Sequence, residues 1–119
     1  MNRKDIADKE DIALMVETFY AKVFADPLLA VFFQDLDFES HKPRMIHFWS
    51  FVLLDEPGYT TNVFDKHAHM PLKKEHFTRW VEIFCHNVDE HFSGPKAEDA
   101  KLRARTIGFT FASKMDAMR

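Results

Sequence analysis

Wherever apolar side chains cluster in this chain they recur at helical spacing, and that periodicity constrains the fold more than any other feature. From Asp8 to Phe24, Ile12 is followed by Met15, Val16, Phe19, Tyr20 and Val23, the i, i+3, i+4, i+7, i+8, i+11 series of one helical face. A second stripe, His41, Met45, Phe48, Trp49 and Val52, predicts a helix over Ser40 to Leu54. A third, Phe77, Trp80, Val81, Phe84 and Val88, predicts one over about Lys74 to Phe92. A fourth, Ala100, Ala104, Ile107, Gly108, Phe111 and Met115, predicts one from Pro95 to about Ala117. No stretch alternates apolar and polar residues as a half-buried strand would, so the expected fold is all-α. The 119 residues contain three glycines, five prolines, no internal repeat and no linker, which makes residues 1–119 a single domain.

The punctuation sets the connections. In "ADPLLAVFF", Asp26 reads as an N-cap and Pro27 as a first helical residue, opening a short helix that carries Phe32 and Phe33. Pro43 is accommodated if Ser40 is the N-cap of the next helix, because a first-turn proline removes an amide that has no intrahelical partner. After "DEPGY", residues 62–71 are too few for more than a turn or two before Pro71 forces Met70 out of helical geometry, so this segment reads as a positioned loop. Gly94 in "SGP" closes the helix before it. The result is two long helix pairs joined by an irregular segment.

Charge and cysteine usage exclude several functions. The formal net charge of −3 leaves no basic excess for nucleic acid or an anionic membrane. No run approaches the ~18 apolar residues of a membrane span, and the charged N-terminal stretch has no apolar signal region, so the expected location is the cytoplasm. Cys85 is the only cysteine, which rules out an internal disulfide or a multi-cysteine metal cage. Thirteen phenylalanines and seven histidines are the unusual counts. That much flat aromatic surface suits either a self-packed core or a large apolar ligand.

Three polar groups fall on apolar faces of three different helices: Tyr20, His41 and Trp80. Each buried donor needs a partner, and donors converging from separate helices are what a pocket requires. In "DKHAHMPLKKEHFTRW", His67 follows Phe64 by three and precedes Ala68, placing it inward, whereas His69 points elsewhere and His76, before buried Phe77, falls on the solvent side. His67 is therefore the candidate ligand. A structural zinc site wants four ligands at closed spacing, and neither CxxC nor HExxH is present. No Glu is followed three residues later by His, which disfavours a di-iron carboxylate bundle. One inward histidine, an aromatic cavity and a set of donors leave haem iron held axially by imidazole.

"ETFYAKVFADPLLAVFF", "SHKPRMIHFWSFVL", "KHAHMPL" and "HFTRWVEIF", in this order and spacing, resemble group III of the truncated haemoglobin family over nearly the whole chain. The first two groups of that family usually carry Gly-Gly pairs at two turns, and this chain has none. The resemblance implies a two-over-two helical sandwich around a haem, with His67 as the proximal iron ligand and Tyr20, His41 and Trp80 in the distal pocket. It implies apolar haem contacts from Phe19, Phe32, Met45, Phe48 and Trp49. Arg44, one turn beyond His41, is either a partner for a haem propionate or a solvated surface charge.

Function follows as an expectation from the same resemblance and from pocket polarity: a haem protein taking dioxygen, nitric oxide or carbon monoxide. Two donors on bound dioxygen, at roughly 1.5–3 kcal/mol each, would slow its release by about 100-fold or more. Retention of that order suits nitric oxide dioxygenation to nitrate or a peroxidase-like reaction, with an unidentified reductase supplying electrons. Storage or sensing without catalysis is the alternative within the family, since a globin fold alone does not choose. From other classes, the alternatives are a haem-free helical interaction module, or a zinc-dependent one using Asp65, His67 and His69.

Overall fold

A computed structural model describes residues 3–33, 37–57 and 73–117, with the side chains of 115–117 excepted. The described residues form helices and connections, with no strand among them. Helix α1 spans Lys9–Ala25. Asp8 caps it, its carboxylate accepting from the Asp11 N–H at 3.0 Å, and Glu10 and Asp11 oppose the positive end of the helix dipole. The six residues of the sequence stripe, Ile12 through Val23, are its buried residues.

Asp26 ends α1 and is almost wholly buried. The short helix expected after it is instead a turn over residues 27–29 followed by a single 3-10 turn, Ala30–Phe33. Asp26 does cap this segment, accepting from the Leu29 N–H at 3.2 Å. The bond from the Phe32 N–H to the Leu29 carbonyl, 3.0 Å, then closes the tighter i+3 ring in place of an α-helical one. Burial alone would push the Asp26 carboxyl up. The Arg79 guanidinium, at 2.9 Å from Nε and 2.8 Å from Nη2, together with the Leu29 amide holds it below the usual carboxylate range.

Helix α2 spans Phe38–Leu54, and its N-cap is Asp37 rather than Ser40. The Asp37 carboxylate accepts from the Ser40 N–H at 3.4 Å, so a cap exists but lies three residues earlier than the sequence suggests. Pro43 consequently sits inside the helix, where Glu39 loses the amide that would have bonded its carbonyl. Glu39 is exposed, so water is at hand for that group. The stripe His41, Met45, Phe48 and Val52 is half-buried, while Trp49, Ser50 and Leu53 are buried. Asp55 closes α2 in the left-handed region at φ 59°, a conformation Asp tolerates better than most residues.

Helix α3 spans Lys74–His91 and α4 spans Pro95–Ala117, packed on each other as a hairpin. Helix α1 packs against both α2 and α3, so α1/α2 form one layer and α3/α4 the other. Asn87, fully buried on α3, ties the layers by donating to the Met15 carbonyl at 3.1 Å and accepting from Lys22 at 2.8 Å. No described helix is long and apolar enough to cross a membrane.

The corner between α3 and α4 depends on the N-terminal segment. Gly94 adopts φ 139°, and a Cβ there would meet Asp5 Cγ at 2.6 Å, so this turn requires glycine twice over. The close approach lets the Asp5 carboxylate cap α4, accepting from the N–H groups of Lys96 at 3.0 Å and Ala97 at 2.9 Å. Burial opposes ionisation of Asp5, but these backbone bonds win and its carboxyl titrates below the ordinary value. A depressed folded-state pKa contributes stability above the unfolded value, and the contribution is lost as pH falls through the folded one. Replacement Asp5→Ala is expected to cost about 1–2 kcal/mol in urea denaturation at pH 7, with a difference that shrinks on acidification below about pH 4. A pH-independent difference would remove Asp5 from the capping role.

Candidate functional site

A partly open, mostly apolar cavity lies between the two layers. Its walls are apolar, with Leu29, Phe33, Met45, Phe48, Phe77, Ile107 and Phe111 drawn from every described helix but α1 and from the turns after it. The polar residues on the lining are Tyr20 from α1, Trp49 from α2, and His76 and Trp80 from α3.

Tyr20 projects from the buried stripe of α1 into a ring of aromatic edges, with Phe19 and Phe38 at 5.2 and 5.3 Å and Phe33 at 6.3 Å between centroids. Its hydroxyl lies 3.0 Å from His41 Nε2, across from α1 to α2, with the two rings at right angles. Burial raises the phenol far above its ordinary pKa, so Tyr20 is a protonated donor throughout the physiological range. That fixes the chemistry of the pair. If His41 carries its proton on Nε2, it donates to the Tyr20 oxygen and leaves the phenol proton for the cavity; in the other tautomer Tyr20 donates to His41. Starting α2 at Phe38 gives His41 a preceding helical turn, its own N–H bonding the Asp37 carbonyl at 3.0 Å, so His41 reaches Tyr20 although Pro43 lies two residues on.

Trp80 is half-buried, edge-on to Phe19 at 5.6 Å and stacked on Phe84 at 5.7 Å. These contacts fix the indole plane while its N–H makes no hydrogen bond to a described residue. Phe19 lies one layer behind the cavity, against Tyr20, Trp80 and Phe84. Phe32 is likewise off the lining and packs on His76 at 4.6 Å, whereas its neighbour Phe33 lines the wall. Met45, Phe48 and Trp49 line the cavity, and Arg44 is exposed on α2. His67, with Asp65 and His69 of the zinc alternative, lies outside the described residues.

His76 corrects the sequence reading: it is buried and lines the cavity rather than facing solvent. The signal was its spacing, four residues before Trp80 on one helix face, rather than its adjacency to Phe77. Its Nδ1 accepts from the Lys73 N–H at 2.8 Å, closing back over the start of α3.

No family model matches the chain. The group 3 truncated hemoglobin ctb of Campylobacter jejuni is 32% identical to it over 115 aligned positions that cover 91% of each protein. The chain belongs to the group 3 truncated haemoglobin family. A crystal structure of the group III truncated hemoglobin from Campylobacter jejuni superposes on it with a TM-score of 0.85 at 26% identity, over 96% of this chain and 95% of that one. The two layers described above are thus the truncated-globin sandwich, and the cavity between them lies inside a globin fold.

The residues present fit a haem. Flat aromatic walls suit a porphyrin face, and the lining includes the donors Tyr20 and Trp80. Gly108 lets the second layer close on this space, since a Cβ there would meet Val81 Cγ2 at 2.6 Å. Val81 is β-branched and stiff about χ1, so making room is costly and Gly108→Ala is expected to destabilise the protein by about 1 kcal/mol or more despite its gain in helix propensity. Equal or higher stability in urea denaturation would show that α3 and α4 do not need this approach.

Proposed function

We propose that the cavity holds haem with His67 as the axial iron ligand, that Tyr20, His41 and Trp80 form the polar side facing a bound diatomic gas, and that the protein oxidises nitric oxide to nitrate in the cytoplasm. The observation that carries the reading is the Tyr20 hydroxyl held 3.0 Å from His41 Nε2 at the edge of an aromatic cavity that Trp80 also lines. Haem, when bound, supplies a ferrous iron that takes a diatomic gas and transfers electron density to it.

The chain's residues act on that charge. The Tyr20 phenol donates to the partly anionic end of dioxygen when His41 donates to the phenol oxygen, so His41 orients Tyr20 as well as polarising it. Trp80 adds a second donor from α3, held by Phe19 and Phe84. The phenylalanines around Tyr20 exclude water, which strengthens each bond by lowering the local dielectric. Net slow release of dioxygen favours its consumption over its delivery. Joining nitric oxide and dioxygen into nitrate takes up one electron, so an electron-donating partner belongs to the proposal.

Replacement Tyr20→Phe is expected to speed dioxygen dissociation about 10- to 100-fold, the loss of one charge-assisted bond, as read by stopped-flow displacement with carbon monoxide. An unchanged rate would take Tyr20 out of this role. His67→Ala is expected to abolish stable haem retention, and a variant that keeps haem with an unaltered spectrum would reassign the axial ligand. Steady consumption of nitric oxide by the reduced, oxygenated protein, with nitrate as product, is the activity expected. Turnover of peroxide without it would favour the peroxidase-like reaction instead.

A further inference from the structure

We infer that His76 is a binding residue for the acidic edge of the cofactor: a neutral imidazole whose Nε2–H holds a porphyrin carboxylate, and which is not an iron ligand. The inference rests on the haem reading above and concerns a residue which that reading leaves without a task.

The polarity of one hydrogen bond decides between the two roles. His76 Nδ1 lies 2.8 Å from the Lys73 backbone nitrogen, which can only donate, so Nδ1 must be an acceptor. The ring proton then resides on Nε2. A metal-binding imidazole needs the opposite arrangement, with a lone pair on the ligating nitrogen and its other N–H donated to an acceptor. The Lys73 bond therefore makes Nε2 a donor and disqualifies it as a ligand.

That donor has no acceptor among the described residues. His76 is 9% exposed, its ring is clamped edge-on by Phe32 at 4.6 Å, and Nε2 makes no hydrogen bond to a described residue although the side chain lines the cavity. Buried donors are normally paired, so the missing acceptor belongs to whatever fills the cavity. Three features make that acceptor an anion. His76 is the third residue of α3, where the helix end is positive; Lys73 and Lys74 stand beside it; and Glu75 is the single acid of the first turn. The carboxylates are the anionic groups a porphyrin offers. His76 lies four residues before Trp80, about 6 Å along the helix, so one face of α3 presents one donor to the cofactor edge and another to the gas ligand.

The test reconstitutes the full chain, its His76→Phe variant and its His76→Gln variant with protohaem and with protohaem dimethyl ester, whose carboxylates are blocked. The rate of haem transfer to excess scavenging apoglobin is then measured. Phenylalanine keeps the ring against Phe32 and removes the donor; glutamine keeps a donor. The expected result is protohaem loss about tenfold faster from His76→Phe than from the parent, an intermediate rate for His76→Gln, and equal loss of the dimethyl ester from parent and His76→Phe. Carbon monoxide spectra of the ferrous forms should coincide. Equal acceleration for both porphyrins would reduce His76 to packing, and no acceleration would leave it without a role in retention. A displaced spectrum would make it a ligand. Failure of the parent itself to take up either porphyrin would instead overturn the haem reading, and this inference with it.

Discussion

The hydroxyl of Tyr20 and the imidazole of His41 meet at 3.0 Å between two helices, inside a ring of phenylalanines. Burial strongly disfavours ionisation of this phenol and makes an unpaired hydroxyl costly, and the imidazole supplies the partner. The rest of the site is arranged around that bond. Helix α1 must end where it does for Phe33 to reach the cavity wall, and Asp26 fixes that end by bonding Leu29 on its own segment and Arg79 on α3. Helix α2 must begin before His41, which the Asp37 cap ensures.

The two layers differ in what holds them. Within the second layer, Gly108 and the alanines at 100 and 104 bring α3 and α4 close, and the Asp5 cap secures the corner. Between the layers, Asn87 spans from α3 to α1 with both ends of its amide engaged. Of these contacts only Gly108 also borders the cavity; the Asp5 cap and the Asn87 tie are not part of its lining. Two donors on that lining, the Trp80 indole N–H and the His76 Nε2–H, have no acceptor among the described residues.

Helix α1 and the α3/α4 hairpin were legible in the sequence because their apolar stripes are long and regular. Ile12 through Val23 are buried as a set, and α4 runs from Pro95 to Ala117 as its pattern indicates. The 3-10 turn was not legible, since Pro27 after Asp26 has the same signature whether the next bonds close at i+3 or i+4. The start of α2 was misplaced because Asp37 and Ser40 are both good caps, and a proline at 43 favours the later one by propensity alone. Tyr20, His41 and Trp80 could be named because each is a polar group on an apolar stripe. His76 escaped because comparison with its adjacent residue hides the relation to Trp80 one turn on, and its burial depends on Phe32 from a distant turn.

In the function proposed, this cavity is a haem pocket with a histidine-bound iron and a polar distal side. The visible absorption spectrum of the purified protein, ferric and then reduced, with and without carbon monoxide, tests it most directly. An intense Soret band that sharpens and shifts with carbon monoxide, as histidine-ligated ferrous haem does, is the expected result. A featureless spectrum that added haem cannot change would contradict it.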